Sequence, residues 1–578
     1  MIYSFLPKLN LLILSQLILV SISYAQGNEK KGTWVGSLES NSQYYFEDKS
    51  RMVVPPDQPF RSNTYLSIQY NLRSWTAGLQ LESYLPNAIL NMNPQYKGVG
   101  LGTAYINYKA KKADYTLGYF YDQFGSGLIF RAWEDRSLGI NNAILGARIR
   151  YNPTPFLHLT TLGGRQRSGF TLSKGMLAGL NAELEVFPLI HKSNGSLTIG
   201  FSYFGRYEST YIADPNFKLL TNSFSERINY TKNNFFASVE LVQKSNDAVI
   251  NNLVSINNDF IKPGSAFLAN MGYSKNGKGL NLVWRRLENM NFMSEREPTI
   301  YGFEQSGLNY NDKILNYVPA INKQHTYSLS NIYVFQAQKL VSIDPFANIG
   351  KAGEIGGMID FFYDIKKGTK VGGKHGTKIE LAMSSYYNLA GSYTLYPPDY
   401  STSWITTGQE YFSDYSLEIT KKFNSSLNGN LEFVKQSFNN RLITGAARVK
   451  IETSIISTRW WIKTGTKSST KISFEHMWAS SDRKNWVEGM IEYNFNGHFS
   501  AYASDMYNYG YDPDGDLIDH ITDPFDIHFY SFGGTYKKGT FRATLNVGRQ
   551  RGGLVCTGGI CRYVPPSTGV GLSVIKVF

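Results

Sequence analysis

The last segment of the chain alternates apolar and polar residues and stops at an aromatic residue. Val570, Leu572, Val574 and Phe578 fall on one face of this segment. Because successive side chains of a strand point to opposite faces, the pattern predicts a strand with one apolar side. Such strands are typical of β-barrels in outer membranes, whose outer face meets lipid and whose inner face is polar. We therefore interpret Phe578 as the C-terminal signal of a barrel whose strands must close.

Alternation of the same kind recurs along the chain. It is clearest in Tyr65–Leu72, Phe235–Val242 and Phe541–Gly548, where apolar residues oppose mostly polar ones. Short turns alternate with longer loops, and the count predicts about 24–26 strands of the roughly 10-residue length that a tilted membrane strand needs. The up-and-down order fails by one strand between Thr326 and Ile365, so one strand is missed there or two are merged. The predicted fold is all-β, a single large transmembrane antiparallel β-barrel.

The composition fits a barrel better than a bundle of membrane helices. The chain has 40 Tyr and 35 Phe, yet its mean hydropathy is only −0.28. A barrel needs only a thin apolar band on its outer face and keeps a polar lumen. Membrane helices need runs of about 20 apolar residues, and the sequence has none after its first 25 residues.

The first 25 residues have the features of a secretory signal. Lys8 precedes the apolar run 9–20, and Ser23 and Ala25 have the small-residue spacing of a cleavage site. We expect residues 1–25 to be a signal peptide and residues 26–578 to form a barrel in the outer membrane of a Gram-negative envelope. Strand patterning begins near Trp34, which leaves no room for a separate plug domain ahead of the barrel.

The formal net charge of +13 indicates which molecules the protein is expected to bind. The simpler interpretation is that basic loops and lumen residues meet anionic outer-membrane lipid and lipopolysaccharide, and the alternative is an anion-selective lumen. Nucleic acid is not expected, because the basic residues are dispersed and no binding motif is present. The barrel insertion machinery and other envelope proteins are the remaining expected partners.

One loop combines charges of both signs. A glycine-rich turn precedes Arg131, Glu134, Asp135 and Arg136. Opposite charges that fold into a lumen create a strong field across a narrow path, so these residues are a candidate pore constriction. The alternative is that they form ion pairs within an external loop.

Another loop is rich in aspartate, with Asp512, Asp514, Asp516 and Asp519 close together. Carboxylates spaced in this way suit a hard cation, so the four residues are a candidate Ca²⁺ site, and no other cofactor is expected. The glycine of this loop is misplaced for an EF-hand, and a plain turn built from Asp, Pro and Gly explains the pattern more simply.

The two cysteines of the chain are Cys556 and Cys561. An exported chain meets an oxidising compartment, so we expect them to form a disulfide across the turn Gly558–Gly559. By the chain-entropy estimate so small a ring adds about 2 kcal/mol. Two thiols alone are too few for a structural zinc site.

Local motifs for catalysis are missing. The sequence contains neither G-x-S-x-G nor H-E-x-x-H, and its eight histidines are scattered. We therefore predict that the protein is not an enzyme. A lipid hydrolase with a site assembled from distant strands is the weakest of three functional hypotheses.

Two stretches resemble a known family. They are QFGSGLIFRAWEDRSLGINNAILG, residues Gln123–Gly146, and GRQRGGLVCTGGICRYVPPSTGVGLSVIKVF, residues Gly548–Phe578. Both resemble a family of uncharacterised outer-membrane proteins typical of Bacteroidota. The resemblance implies the location, the barrel and the lineage, and it implies that the cysteine hairpin and the glycine-rich loop are family features. It implies no catalytic or ligand-binding residue in this chain.

The leading functional hypothesis is a porin-like passive channel for small solutes. A barrel this wide leaves an open lumen unless loops fill it. The alternative is a structural or accessory barrel of an envelope assembly for secretion, protein insertion or polysaccharide anchoring. A channel predicts ionic conductance, whereas an accessory barrel predicts a sealed lumen and partners that co-purify.

Overall fold

The computed structural model describes residues 32–90, 96–192, 194–210, 217–250, 256–296, 313–335, 342–344, 349–444, 450–509, 527–557 and 560–578. The predicted signal peptide, residues 1–25, lies outside these ranges. Regular structure within them is almost entirely β-strand, as the alternating pattern predicts. In this part of the chain no helix is long and apolar enough to cross a membrane.

Strands are numbered in chain order, and helices are few and short. The strands are β1 (Thr33–Tyr45), β2 (Phe60–Leu72), β3 (Trp75–Tyr84), β4 (Gly98–Lys109), β5 (Ala113–Phe120), β6 (Asp122–Phe124), β7 (Phe130–Ala132), β8 (Glu134–Asp135), β9 (Ile140–Asn141), β10 (Ile144–Thr154), β11 (Leu157–Ser168), β12 (Thr171–Glu185), β13 (Ser196–Tyr207), β14 (Leu220–Lys232), β15 (Phe235–Ile250), β16 (Ile256–Lys275), β17 (Lys278–Glu288), β18 (Ser342–Asp344), β19 (Ile349–Lys351), β20 (Gly353–Ile365), β21 (Thr377–Thr394), β22 (Asp399–Lys422), β23 (Leu427–Phe438), β24 (Ile451–Lys463), β25 (Ser469–Ala479), β26 (Trp486–Asn494), β27 (Phe499–Asn508), β28 (His528–Lys538), β29 (Phe541–Gln550), β30 (Gly553–Thr557), β31 (Ile560–Val564) and β32 (Ser567–Val577). The α-helices are Val186–Leu189 and Asn440–Thr444, and the 3-10 helices are Lys49–Arg51 and Leu329–Asn331.

Twenty-four of these strands form one closed antiparallel barrel. They are β1–β5, β10–β17, β20–β29 and β32, and each pairs with the next one in this order. The ring closes where β1 pairs with β32, in a register that runs from Ser37 opposite Val577 to Tyr45 opposite Gly569. The predicted fold class is therefore confirmed, and the strand number falls at the lower end of the predicted range.

Phe578 extends the closing strand by one residue. Its backbone N–H donates to the carbonyl oxygen of Gly36 at 2.9 Å, and its own carbonyl accepts from the N–H of Gly36 at 2.9 Å. The ring of Phe578 occupies the space that a Cβ at position 36 would need. The seam of the barrel is thus held by backbone pairing and by an aromatic ring lying over a glycine.

The two ends of the barrel differ. One end, called the turn end here, carries short connections such as those after Leu72 and Lys109, and also the start of β1 and the finish of β32. The other, called the loop end, carries the longer connections 46–59, 121–143 and 289–352. This asymmetry follows the rule for outer-membrane barrels, in which short turns and long loops lie at opposite ends.

The predicted strand faces are confirmed in the described residues. On β29, Leu545 points outward and is half exposed, and on β15 Val239 does the same. Glu240, the neighbour of Val239, points into the barrel and is 4% exposed. Apolar side chains therefore predominate on the outside of the wall, while polar and charged ones line much of its inside.

The expectation of a missed or merged strand between Thr326 and Ile365 is wrong. β17 pairs directly with β20, from Lys278 opposite Tyr363 to Glu288 opposite Gly353, so the wall has no gap there. The chain between β17 and β20 leaves the wall, so it contributes no strand to the ring.

Candidate functional site in the barrel lumen

Two segments from the loop end fold into the lumen. The first insert is residues 121–143, which connect β5 to β10, and the strap is residues 313–335, which belong to the connection from β17 to β20. Both contact side chains that point inward from the wall. We regard these two segments and the wall around them as the candidate functional site.

An apolar cluster fixes the first insert against the wall. Leu128, Ile129 and Phe130 have no exposed surface. The ring of Phe130 stacks on Phe204 of β13, with 4.2 Å between the ring centroids. Burial of several large side chains at about 25 cal/mol per Å² of apolar surface favours this inward position over an external loop.

The strap begins against the first insert. The N–H of Arg131 donates to the carbonyl oxygen of Leu315 at 2.8 Å, and the N–H of Tyr317 donates to that of Gly127 at 2.8 Å. The side-chain amide of Gln166 on β11 donates to the carbonyl oxygen of Ile314 at 2.7 Å. Insert, strap and wall therefore form one hydrogen-bonded unit on this side of the lumen.

A charged contact holds the middle of the strap. His325 Nε2 lies 2.9 Å from Asp414 Oδ2 on β22, and its Nδ1 lies 2.8 Å from Glu432 Oε1 on β23. Lys323 Nζ lies 2.6 Å from Glu418 Oε2. Burial alone would lower the pKa of His325, but hydrogen bonds to the two carboxylates and their charges raise it to about 9. The strap thus presents cations to carboxylates of the wall, and we call these contacts the latch.

The end of the strap contacts β25, the loop that follows β25, and β21. Glu475 of β25 accepts the backbone N–H of Leu329 at 3.0 Å. Tyr333 donates its hydroxyl to Asp482 Oδ2 at 2.7 Å, and the ring of Phe335 stacks on Tyr386 at 4.5 Å. Since the strap starts near β11 and reaches β25, it crosses the lumen.

The predicted constriction residues lie in the first insert, inside the barrel. Arg136 Nη1 donates to Glu39 Oε2 of β1 at 2.7 Å, and its Nε lies 3.2 Å from Glu134 Oε1. The guanidinium of Arg131 lies over the ring of Tyr317, 4.1 Å from its centroid. Asp135 accepts the N–H of Leu138 at 3.0 Å and so closes a local turn. The ion pairs weighed in the sequence are therefore present, but they are formed inside the lumen and reach its wall.

A sector of the wall away from the strap keeps small polar side chains in contact with water. Neighbouring strands align one row of half-exposed inward residues, which we call the polar arc: Asn41, Ser500, Thr535, Thr544 and Ser573. Asn546, on the same face of β29, is exposed. In contrast, Gln166 and Glu475 beneath the insert and the strap are almost fully buried. The lumen is thus packed on one side and solvated on the other.

Other predicted site residues are only partly described. Asp512, Asp514, Asp516 and Asp519 lie outside the described residues, so the Ca²⁺ site stays a prediction. Within the described ranges, no three His, Cys, Asp or Glu side chains are grouped so as to hold a metal. The register of β30 and β31 places Cys556 opposite Cys561, and their side chains lie outside the described part, so the disulfide also stays a prediction.

Sequence reasoning missed His325 and Glu475. His325 contacts Asp414 across 89 positions of sequence, and Glu475 accepts from Leu329 across 146 positions. No local pattern signals such pairs. The available signal was the failed strand order near Thr326, which marked the strap as unlike a barrel strand.

Comparison with known families finds one match, which spans nearly the whole chain. The profile of DUF6029, a family of unknown function, matches residues 8–578. A search of curated proteins finds no match to this sequence.

Comparison with solved structures finds other large barrels at low sequence identity. The siderophore receptor PirA from Pseudomonas aeruginosa is 8% identical with a TM-score of 0.42, over 94% of this chain and 80% of that one. The P pilus usher PapC translocation pore is 10% identical with a TM-score of 0.38, over 94% and 99%. OccK9 from Pseudomonas aeruginosa is 11% identical with a TM-score of 0.36, over 75% and 99%.

Proposed function

The chain belongs to the DUF6029 family of unknown function, and from the structure of its lumen we propose that it is an outer-membrane channel. Small hydrophilic solutes would diffuse through its lumen, which the first insert and the strap make narrower. The proposal contains no catalytic step, in keeping with the prediction that the protein is not an enzyme. The Bacteroidota origin stays a prediction.

The outer face of the barrel supports the membrane location. Large apolar side chains such as Leu117, Ile228 and Phe532 are exposed on it. A closed antiparallel ring satisfies its backbone hydrogen bonds internally, which is what a segment in hydrocarbon requires. The long loops at one end only are the arrangement of bacterial outer-membrane barrels.

The polar arc is the observation that carries the channel proposal. Its side chains are uncharged hydroxyls and amides, which can replace part of the hydration of a small polar solute without trapping it. Thr535 and Thr544 lie side by side there, with 3.1 Å between their hydroxyl oxygens. A wall sealed for structural reasons would bury such groups, as the strap buries Glu475.

The first insert supplies the selectivity of the proposed path. Arg136, Glu134 and Glu39 are each about a fifth exposed, so water still reaches this charge group. Charges of both signs close together in a confined space act on solutes through a local field more than through net charge. The path would therefore discriminate by size and dipole as well as by the sign of an ion.

Planar-bilayer recording of the purified protein tests the proposal. At low and high salt we expect stable open steps from the wild type. In a variant with the double change Asp414→Asn and Glu432→Gln, the latch loses both carboxylates that hold His325, and we expect larger steps. Asp364→Asn, in the turn end, is the matched control and should conduct like the wild type. A folded barrel that stays silent in all three forms would refute the channel.

An accessory role is the second candidate, because one hairpin extends beyond the wall. β21 and β22 have 18 and 24 residues, well above what a membrane crossing needs. Tyr396 at the tip is 89% exposed and Ile405 is 79% exposed. Exposed apolar residues on a protruding element are typical of a partner surface. This role predicts a partner that co-purifies with the wild type and is lost from Tyr396→Ser/Ile405→Ser.

A further inference from the structure

An ionisable pair lies on the outside of the barrel, where most of the large exposed side chains are apolar. Asp505 on β27 and His528 on β28 point outward, because their neighbours Met506 and Phe529 pack into the interior. Asp505 Oδ2 lies 2.6 Å from Nδ1 of His528. Charged groups on the lipid face of a membrane strand are unfavourable, and an ionisable residue there is by default a candidate functional site.

A groove runs along the barrel surface up to this pair. Gly489 and Ala503 form its floor, Phe474, Ile491 and Phe532 stand along its sides, and its volume is about 820 Å³. A Cβ at Gly489 would meet no atom within 4 Å, so the missing side chain leaves open space. The groove is open to the surroundings and mostly apolar, which suits an acyl chain, and Asp505 and His528 are among its lining residues.

The depth of the pair identifies the part of a lipid that would reach it. Asp505 follows Phe499, near the turn end, by six residues, about 20 Å along a strand and, at a strand tilt of about 40°, about 15 Å across the membrane. Tyr507 and Tyr509 come next, and aromatic rings of this kind collect at the membrane interface. Asp505 therefore lies just below the headgroups, where the acyl chain of a lipid joins the headgroup through an ester or an amide.

We propose that the groove binds a membrane lipid that carries a hydrogen-bond donor, an amide N–H or a hydroxyl, where its acyl chain joins the headgroup. The side chain of Asp505 is 46% exposed, and because its Oδ1 is shielded, a lipid donor would reach Oδ2, which contacts His528 and can accept a second hydrogen bond. An ionised carboxylate only accepts hydrogen bonds, so it recognises a donor. Ester-linked chains offer only acceptors at this depth. The inference rests on the proposed membrane location and is independent of an open lumen.

Native mass spectrometry of the detergent-purified protein tests this with two lipids that share the phosphocholine headgroup. Sphingomyelin has an amide N–H and a hydroxyl at the chain junction, and diacyl phosphatidylcholine has two esters. We expect the wild type to prefer sphingomyelin about tenfold, the size of a hydrogen bond to a charged group. Asp505→Ala should bind both lipids equally, and Gly489→Leu should bind both more weakly. Leu545→Phe, on the outer face of β29, is the control and should keep the preference.

Three results would overturn the proposal. Equal binding of the two lipids by the wild type would show that the carboxylate selects nothing. A preference that survives in Asp505→Ala, or binding that is unchanged in Gly489→Leu, would place the lipid elsewhere. A folded barrel that conducts nothing and still prefers sphingomyelin would refute the channel alone, so the two proposals fail separately.

Discussion

The Nε2 of His325 lies 2.9 Å from Oδ2 of Asp414, and this contact joins the strap to the barrel wall. The histidine is almost fully buried and has a second carboxylate, Glu432, on its other ring nitrogen. Removing one partner of such a group leaves a buried charge uncompensated, which is costly. One part of the stability of the strap in the lumen therefore depends on the protonation of His325.

Raising the pH should loosen the strap. The pKa of His325 is about 9 in the folded protein, against 6.5 for a free histidine. A raised pKa means that the stabilisation is fully present below about pH 6.5 and is lost as pH rises through about 9, a change of about 3 kcal/mol. Hydrogen exchange of the strap amides at pH 6.5 and pH 10 measures this. His325→Gln, which cannot titrate, should show no such change beyond the intrinsic exchange rates, and equal protection of the wild type at both values would contradict the prediction.

Arg136→Gln should shift the proposed channel toward cations. The change leaves Glu39 and Glu134 without their shared cation, while the fold of the first insert is kept by its apolar cluster. One unit of charge a few ångströms from the path corresponds to about a twofold to fivefold change in the cation-to-anion permeability ratio. The reversal potential in a salt gradient measures it. Lys538→Gln, at the turn end, removes the same charge elsewhere, and an equal shift there would show that only net charge matters.

Gly36 and Phe578 should be energetically coupled. Gly36→Leu displaces the ring that covers position 36, and Phe578→Ala removes it, so each should lower the stability of the folded barrel by about 1–2 kcal/mol. The double variant should be less unstable than the sum, because both changes disturb one contact. Urea titration of the fraction that migrates as folded barrel on a gel measures all four forms. Strict additivity would mean that the ring does not stabilise the seam.

The two cysteines should be oxidised in protein purified from the envelope. The intact mass should increase by two mass units after reduction, and a thiol reagent should react only after that step. Because the ring is small, Cys556→Ser/Cys561→Ser should cost the hairpin only about 2 kcal/mol or less and leave barrel folding unchanged. Free thiols in freshly purified protein would contradict the assignment made from the sequence.

The barrel architecture could be predicted from the sequence because it is determined by local patterns, namely two-residue alternation and turn residues. Two-residue alternation in segments such as Tyr65–Leu72 states which side of a strand meets lipid, and that side is confirmed in the structure. Turn residues between such segments then fix the up-and-down order. A closed barrel is the arrangement that leaves none of these strands with an unpaired edge in hydrocarbon.

The contents of the lumen could not be predicted in the same way. Arg136 meets Glu39 across 97 positions of sequence, and Ser126 meets Glu240 across 114 positions. Whether a loop turns inward depends on the sum of such distant contacts and on the shape of the wall. The charges of the first insert could be identified in the sequence, but their partners could not.

Because β17 and β20 are direct neighbours, the barrel is complete without the chain that leaves the wall after Glu288 and returns at Gly353. Strap and wall are therefore separate components of the structure. Changes within that one connection leave the backbone hydrogen bonds of the ring untouched, and in the proposed channel they would alter what passes. We therefore expect relatives that differ in the proposed permeability to differ first in this stretch.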